Sequence, residues 1–481
     1  MHRTETARWE HALVVGGGFA GLLAARVLAD HFRRVTILEQ DQVTAETDHR
    51  PGIPQARHPH VLMARGAAVV EELFPGLREE LAGLGAPIFD LGVSSMIKLP
   101  VGWTPRVAIG IVCQSVSRAT LEKTIRRRIL AHPAVTLRAG VRVRALFREM
   151  GGGPVTAVRV ARSRDTTAET GQDETVDADL IVIATGRTST LTRWLNDVGL
   201  PSPREHVVDA QGAYTTRLHR SRPDTNPDPS QYTAGIVANI ELTSAPHVRR
   251  SGGVFLIEHG LHLASLYGVM GDSAPPHEVE FLDYARSLRN PHIAQAIRTG
   301  APIGSIYRFT ALANHWSLYH RLPQWPDRLL AMGDAVCTLN PIYGQGMTVA
   351  ATQALTLRTL LAQRRNGDLP GIAGTFQRRI AADLRWPWLM ASSYDRGWTP
   401  DKGSLTACLA RWYLGRLLSV IPHDINVFRR FVAVSQMLDN PVVLLHPRVL
   451  AGLALAALRH PPGPEVLHDA SATHNPTGER P

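Results

Sequence analysis

An α/β fold built on a parallel, Rossmann-like sheet, with an inserted antiparallel sheet and a helical C-terminal region, is what this 481-residue sequence predicts. Three observations predict it. The chain opens with an apolar run, a glycine turn, a helical pattern and a second apolar run ending in an acid. Two more short apolar runs, Leu180-Ile181-Val182-Ile183 and Leu329-Leu330-Ala331-Met332, have the pattern of strands buried on both faces. Between them, from about Tyr214 to Met270, alternating stretches separated by polar breaks at 221–230 predict antiparallel strands.

The first unit runs from His11 to Glu39. Ala12-Leu13-Val14-Val15 leads into Gly16-Gly17-Gly18-Phe19-Ala20-Gly21, and Leu22, Leu23, Ala25, Val27 and Leu28 follow with helical spacing. Gly16 allows the tight turn, Gly18 lets the backbone approach a pyrophosphate, and Gly21 lets the helix pack closely on the strand. The helix N-terminus offers free N–H groups and a positive dipole end to phosphates. Val35-Thr36-Ile37-Leu38 then delivers Glu39, where a carboxylate can accept hydrogen bonds from a ribose diol and repel a 2′-phosphate. The expected ligand is FAD or NAD rather than NADP.

The later run decides between them. Gly333-Asp334 ends a strand and Pro341-Ile342-Tyr343-Gly344-Gln345-Gly346-Met347 opens a helix. NAD offers only ribose hydroxyls, whereas FAD carries a ribityl chain that needs an acceptor between pyrophosphate and ring. Asp334 supplies one. Amides at Gly346 and Met347 are expected to face the flavin C2 carbonyl, where the helix dipole would stabilise negative charge.

Other elements follow from periodicity. A polar loop from Arg50 leads to a helix carrying Leu62, Val69, Val70, Leu73 and Phe74, and Leu121, Ile125 and Ile129 mark another after Ser117-Arg118. Stretches at 135–147 and 155–162 alternate as strands around a Gly151-Gly152-Gly153-Pro154 turn. Beyond about 370 the pattern is helical, with Trp386, Trp388, Leu405, Leu409 and Trp412.

Composition narrows the function. The formal charge is +10, yet the only lysines are Lys98, Lys123 and Lys402, and the arginines are dispersed apart from Arg126-Arg127-Arg128. This is a solvated helix face rather than a phosphate track, so no nucleic-acid partner is expected. Cys113, Cys337 and Cys408 lack disulfide or metal spacing, which predicts reduced thiols and a cytoplasmic protein. Met1 to Glu10 is charged and has no signal-peptide core. No run of about 18 apolar residues occurs. Val442 to Leu458, broken by His446, Pro447, Arg448 and Gly452, reads as a packed or peripheral helix, and a peripheral membrane contact is the lesser alternative. His58 and His60 flank Pro59 in a loop without a third ligand, so no metal is expected there.

With these motifs in view, the chain resembles the single-component FAD monooxygenases of the aromatic hydroxylase and squalene epoxidase superfamily. Three segments carry the resemblance: Gly16 to Gly21, Asp179 to Gly186, and Gly333 to Met347. Arg50-Pro51-Gly52-Ile53-Pro54-Gln55-Ala56-Arg57-His58-Pro59-His60, Glu72-Leu73-Phe74-Pro75-Gly76 and Asn340 to Met347 resemble the bacterial epoxidases of polyether antibiotic pathways. The similarity covers most of residues 11–400.

The resemblance implies a glutathione-reductase-type FAD-binding domain from 1–74, 105–200 and 316–368. It also implies a substrate domain from 75–104 and 201–315; the helical pattern continues over 369–460, and the tail at 461–481, rich in Pro, His, Thr and polar residues, is expected to be disordered. It places Gly16, Gly18, Phe19, Ala20, Gly21, Glu39 and Gln40 on the cofactor, with Arg50 at or near the flavin and Arg118 at the diphosphate or ribityl region. Val143, Gly186, Gly333, Asp334, Pro341, Gly344, Gly346 and Met347 complete that set. Tyr214 and Arg217 are candidate substrate contacts, and Arg50 and Tyr343 candidate catalytic residues, each with an ordinary packing alternative.

The implied chemistry is transfer of one oxygen atom from O2, through a flavin C4a-hydroperoxide, to a lipophilic secondary metabolite such as a polyketide or terpenoid. Epoxidation needs no substrate base, phenol hydroxylation benefits from one, and none is identifiable; epoxidation is therefore the leading expectation. Hydroxylation of an aromatic or polyketide substrate, a flavin reductase or dehydrogenase without oxygen incorporation, and a non-catalytic flavin scaffold are the alternatives. Ala184-Thr185-Gly186-Arg187 lacks the acid the superfamily has at this point, so electrons are expected from NAD(P)H in a shallow groove or from a separate flavin reductase. Trp386-Pro387-Trp388-Leu389-Met390 does not complete a halogenase box.

Overall fold

The computed structural model describes residues 9–48, 50–162, 173–220, 235–364, 369–401 and 403–459. The N-terminal octapeptide, the polar break at 221–230 and the tail at 461–481 lie outside them.

A five-stranded parallel sheet organises the cofactor half. Its order is Leu329–Ala331, Leu180–Ile183, Trp9–Val15, Phe32–Glu39 and Val135–Ala139. Leu180 to Ile183 are wholly buried, as their unbroken apolar run requires. Register then fixes the site. Val15 pairs with both Leu38 and Ile183, and Ile183 pairs with Ala331. The carboxyl ends of these strands are thus level, and Gly16, Glu39, Ala184 and Met332-Gly333 emerge along one edge. In open α/β sheets that edge is where ligands bind.

The helix Phe19–Ala29 crosses between the first two strands, and the helix Gly346–Ala362 packs against it. Val141–Arg148, Val155–Arg162 and Glu174–Asp177 form a three-stranded antiparallel sheet beside this core.

The second sheet has seven strands in the order Ala301–Phe309, Ala213–Arg220, Leu261–Gly268, Arg250–Leu256, Ala238–Glu241, Ser95–Leu99 and Gly102–Trp103. It is mixed rather than purely antiparallel. Ser95–Leu99 arrives from an earlier excursion of the chain and pairs parallel to Ala238–Glu241. A hairpin would have forced the opposite sense, but no hairpin links these strands.

Helices Ile372–Asp383, Arg385–Asp395, Leu405–Val420, Ile425–Ser435 and Pro447–Arg459 form the C-terminal region. Leu417, Ile421 and Phe428 build a separate core there. Among the described residues no helix is long and apolar enough to cross a membrane, and no cluster of His, Cys, Asp and Glu is arranged to hold a metal. Cys113 and Cys337 are buried and free.

Candidate active site

A cavity of about 650 Å³ opens along the level strand ends. The glycine turn forms one wall. Gly16 adopts φ +104°, and a Cβ there would lie 2.4 Å from the Ala184 carbonyl oxygen. Gly18 precedes the helix, whose first bond runs from Leu22 N to the Gly18 carbonyl. The amides of Phe19 to Gly21 precede that bond and have no intrahelical acceptor. Gly16, Gly18, Phe19 and Ala20 line the cavity. Gly21 does not. A Cβ on Gly21 would lie 1.8 Å from the Gly16 carbonyl oxygen, so this glycine shapes the turn from behind.

Glu39 is buried at the same wall. Its carboxylate accepts from Gly17 N at 2.8 Å, Asp41 N at 2.9 Å and Arg50 Nη1 at 2.7 Å. A carboxylate accepts about four bonds, so Glu39 keeps capacity for a hydroxyl. Arg50 also reaches Glu122 at 3.4 Å, and Glu122 pairs with Arg118 at 2.7 Å. The result is a buried chain of alternating charge, Glu39–Arg50–Glu122–Arg118. Burial pushes the Glu122 carboxyl up, but the charges of Arg118 and Arg50 outweigh it and hold the group below the usual carboxylate range. The Arg50 Nε is buried without a partner among the described residues. Arg50 is therefore placed at the glycine turn, with Nη2 3.3 Å from where a Gly18 Cβ would be, and its role follows from that end of the cavity.

His60 donates from Nδ1 to the His58 carbonyl at 2.9 Å and accepts at Nε2 from Arg118 at 3.1 Å. Burial and the Arg118 charge push its pKa down to about 3, so it is neutral. His58 bonds Thr216 Oγ1 at 2.8 Å and is likewise held at about 3 by burial and Arg57. Both histidines are loop residues with protein partners, as their sequence context predicts. Gln40, which accepts from Arg142 at 3.3 Å, and Val143 line the cavity beyond Glu39.

The other end is built by the late segment. Gly333 adopts φ +64° and its N–H donates to Gln353 Oε1 at 2.6 Å. Asp334 faces the cavity, and among the described residues no group donates to its carboxylate. Burial raises its pKa, while Arg187 and Arg118 pull it down. Pro341, Gly344, Gly346 and Met347 continue this wall with Gly186. The first bond of the helix Gly346–Ala362 runs from Val349 N to Gln345 O. The Gly346 and Met347 amides are thus free of intrahelical acceptors.

Two candidates lie elsewhere. Arg217 is on the opposite face of its strand from Tyr214, because side chains alternate along a strand. It pairs with Glu278 at 3.2 Å, at the start of the helix Glu278–Arg286, and is not among the residues lining this cavity, in line with its ordinary sheet alternative. Tyr343 turns away from the cavity and gives its hydroxyl to Asp395 at 2.5 Å, which leaves it without a catalytic position. Tyr214 is buried beside Phe309, a cavity residue, with ring centroids 5.7 Å apart, and its hydroxyl has no partner among the described residues.

Arg187 is a cavity residue the motif reading passed over. It lies four residues past the strand end at Ile183, just after Thr185-Gly186. Arg142, Arg144 and Arg193 also line the cavity. Arginines therefore outnumber the lining acids Glu39, Asp41 and Asp334, which suits an anionic ligand. One end offers free amides and guanidinium groups, the other an unpaired carboxylate and a second helix N-terminus.

Residues 14–74 match the family described as an NAD(P)-binding Rossmann-like domain. Protein Rv3254 of Mycobacterium tuberculosis (strain ATCC 25618 / H37Rv) is 32% identical over 446 residues, which span 85% of this chain and 89% of that protein. Among solved structures, flavin-dependent brominase Bmp2 covers 93% of this chain with 98% of its own, at 14% identity and a TM-score of 0.62. PqsL, a probable FAD-dependent monooxygenase from Pseudomonas aeruginosa, covers 88% with 99% of its own, at 16% identity and a TM-score of 0.55. The chain thus belongs to the family of Protein Rv3254, and its fold is the one shared by FAD-dependent monooxygenases and halogenases.

Proposed function

We propose that this protein is an FAD-dependent monooxygenase that inserts one oxygen atom of O2 into a lipophilic small molecule, with an alkene of a polyketide or terpenoid as the favoured target. The observation that carries the reading is the Asp334 carboxylate, left without a donor in the cavity that the glycine turn and Arg50 also line. A ribityl hydroxyl would satisfy Asp334, and phosphates would meet the amides after Gly18 and the orphan Arg50 Nε. FAD has both groups at opposite ends, whereas NAD has no ribityl chain.

Bound and reduced, FAD would supply the electrons that activate O2, one atom entering product and the other leaving as water. The protein's own part is placement and charge. Glu39 holds the adenosine ribose, Gln40 and Val143 flank the nucleotide end, and Arg118 faces the diphosphate or ribityl region. Gly344, Gly346 and Met347 meet the ring, and the positive end of the helix Gly346–Ala362 stabilises negative charge there. Tyr214 and Phe309 form the buried aromatic side next to which a lipophilic substrate would lie. Thr185 stands where the superfamily's acid would be, ahead of Gly186, and this missing acid supports electron delivery by a separate flavin reductase, or by NAD(P)H held away from this point.

Turnover under ¹⁸O2 with pathway alkenes and a flavin reductase tests the reading. One labelled atom per product supports it. Oxidised product without label assigns the protein to the reductases or dehydrogenases.

A further inference from the structure

We propose that Asp395, contributed by the C-terminal helices, is a positioning residue for the flavin: it fixes the turn 340–346 from behind and places a buried negative charge beneath it. The inference rests on the FAD reading above. Asp395 is 1% exposed. Its Oδ1 accepts from the Tyr343 hydroxyl at 2.5 Å, and its Oδ2 accepts from Asn314 Nδ2 at 2.6 Å and Asn340 Nδ2 at 3.0 Å. The same asparagines brace the turn. Asn340 N donates to Asn314 Oδ1 at 2.8 Å, and Asn340 Oδ1 accepts from Ile342 N at 3.2 Å. One carboxylate thus holds Asn340 and Tyr343, the start and the middle of the segment that presents Pro341, Gly344 and Gly346 to the cavity.

Among the described residues no cation pairs with this carboxylate. The groups facing it are Tyr343 on the turn, Asn314 and Tyr267 on strands, Tyr394 on its own helix, and Asp209. Arg289 acts on Tyr394, and Arg396 is drawn to Asp401 at 3.6 Å. A buried anion compensated only by neutral donors is costly, and it persists where the surrounding structure over-determines it. Burial raises its pKa to about 6, against the three hydrogen bonds that favour the charged form. His58 and His60, held near 3, do not titrate in that window.

The test is a pH titration of the visible spectrum of oxidised FAD bound to the full chain, between pH 5 and 8. The wild type is expected to show a spectral transition centred near pH 6. Asp395→Asn should abolish it and bind FAD more weakly. Tyr343→Phe, which keeps the acid but removes a donor to its charged form, should move the midpoint upward. A yellow wild type with a pH-silent spectrum overturns the inference alone, as does a transition that persists in Asp395→Asn. Where that variant does not fold, an unmoved midpoint in Tyr343→Phe overturns it. A wild type that binds no FAD overturns both this inference and the FAD reading.

Discussion

Replacing Asp334 by asparagine is expected to push two measurements in opposite directions. The side chain keeps its shape and one carbonyl acceptor but loses its charge. A charge-assisted hydrogen bond contributes about 1.5–3 kcal/mol and a neutral one about 0.5–1.5. The loss to FAD binding is then about 1–2 kcal/mol, or roughly 5- to 30-fold in Kd at 1.4 kcal/mol per decade. Ligand-free stability moves the other way. The folded pKa of Asp334 lies above its ordinary 3.8, because burial disfavours the charged form more than Arg187 and Arg118 favour it. The folded state therefore carries a penalty above that folded pKa, which fades as pH falls toward 3.8. Asparagine removes it, so apo Tm at pH 7 should hold or rise, and the gain should vanish near pH 4. Fluorescence titration with FAD and thermal melts of the apoprotein read the two effects. An FAD affinity within twofold of wild type, or an apo Tm several degrees lower, would refute the account of Asp334.

Other substitutions probe the remaining parts. Glu39→Arg should weaken FAD binding and destabilise the apoprotein by about 3–5 kcal/mol, because Arg50 then faces a like charge in a buried site; unchanged FAD affinity in a titration removes Glu39 from the site. Gly21→Ala should lose about 1–3 kcal/mol or more in urea unfolding, since its Cβ would meet the Gly16 carbonyl oxygen at 1.8 Å. Gly415→Ala, within a helix and with nothing near its Cβ, should gain about 0.5–1 kcal/mol. The chain should also lose stability as pH falls below about 6.5. His58 and His219, 2% and 3% exposed, have folded pKa values lowered to about 3 and about 4, so the unfolded state takes up protons first. At pH 5 each disfavours the folded state by about 2 kcal/mol, and His58→Gln should flatten the Tm profile between pH 5 and 7.

The parts of this fold that are local in sequence were legible. Gly16 to Glu39 is one strand–helix–strand unit whose turn geometry depends on its own glycines. The Leu180 and Leu329 runs are apolar on both faces, which fits parallel strands covered on both sides, one inside the sheet and one at its edge. Asp334 could be placed at the strand end from sequence because it lies three residues past Ala331, and the structure puts it on the cavity wall. What escaped depends on partners distant in sequence. Tyr343 stands in a loop beside the cavity, but its direction is set by Asp395, an acid in a helical stretch with no motif around it. Arg50 was expected at or near the flavin and is held at the glycine turn by Glu39 and Glu122. Strand period alone separates Arg217 from Tyr214, since three residues along a strand reach the opposite face. The parallel pairing of Ser95–Leu99 joins segments far apart in the chain, and no periodicity reports it.

Equilibrium binding of FAD, FMN and riboflavin to the purified, flavin-free chain tests the central claim most directly: one cavity takes a nucleotide at Glu39 and a ribityl-flavin at Asp334. The account predicts one FAD per chain, with FMN and riboflavin bound far more weakly because they lack the adenosine end. A protein that stays colourless in excess FAD, or binds FMN as tightly, contradicts it.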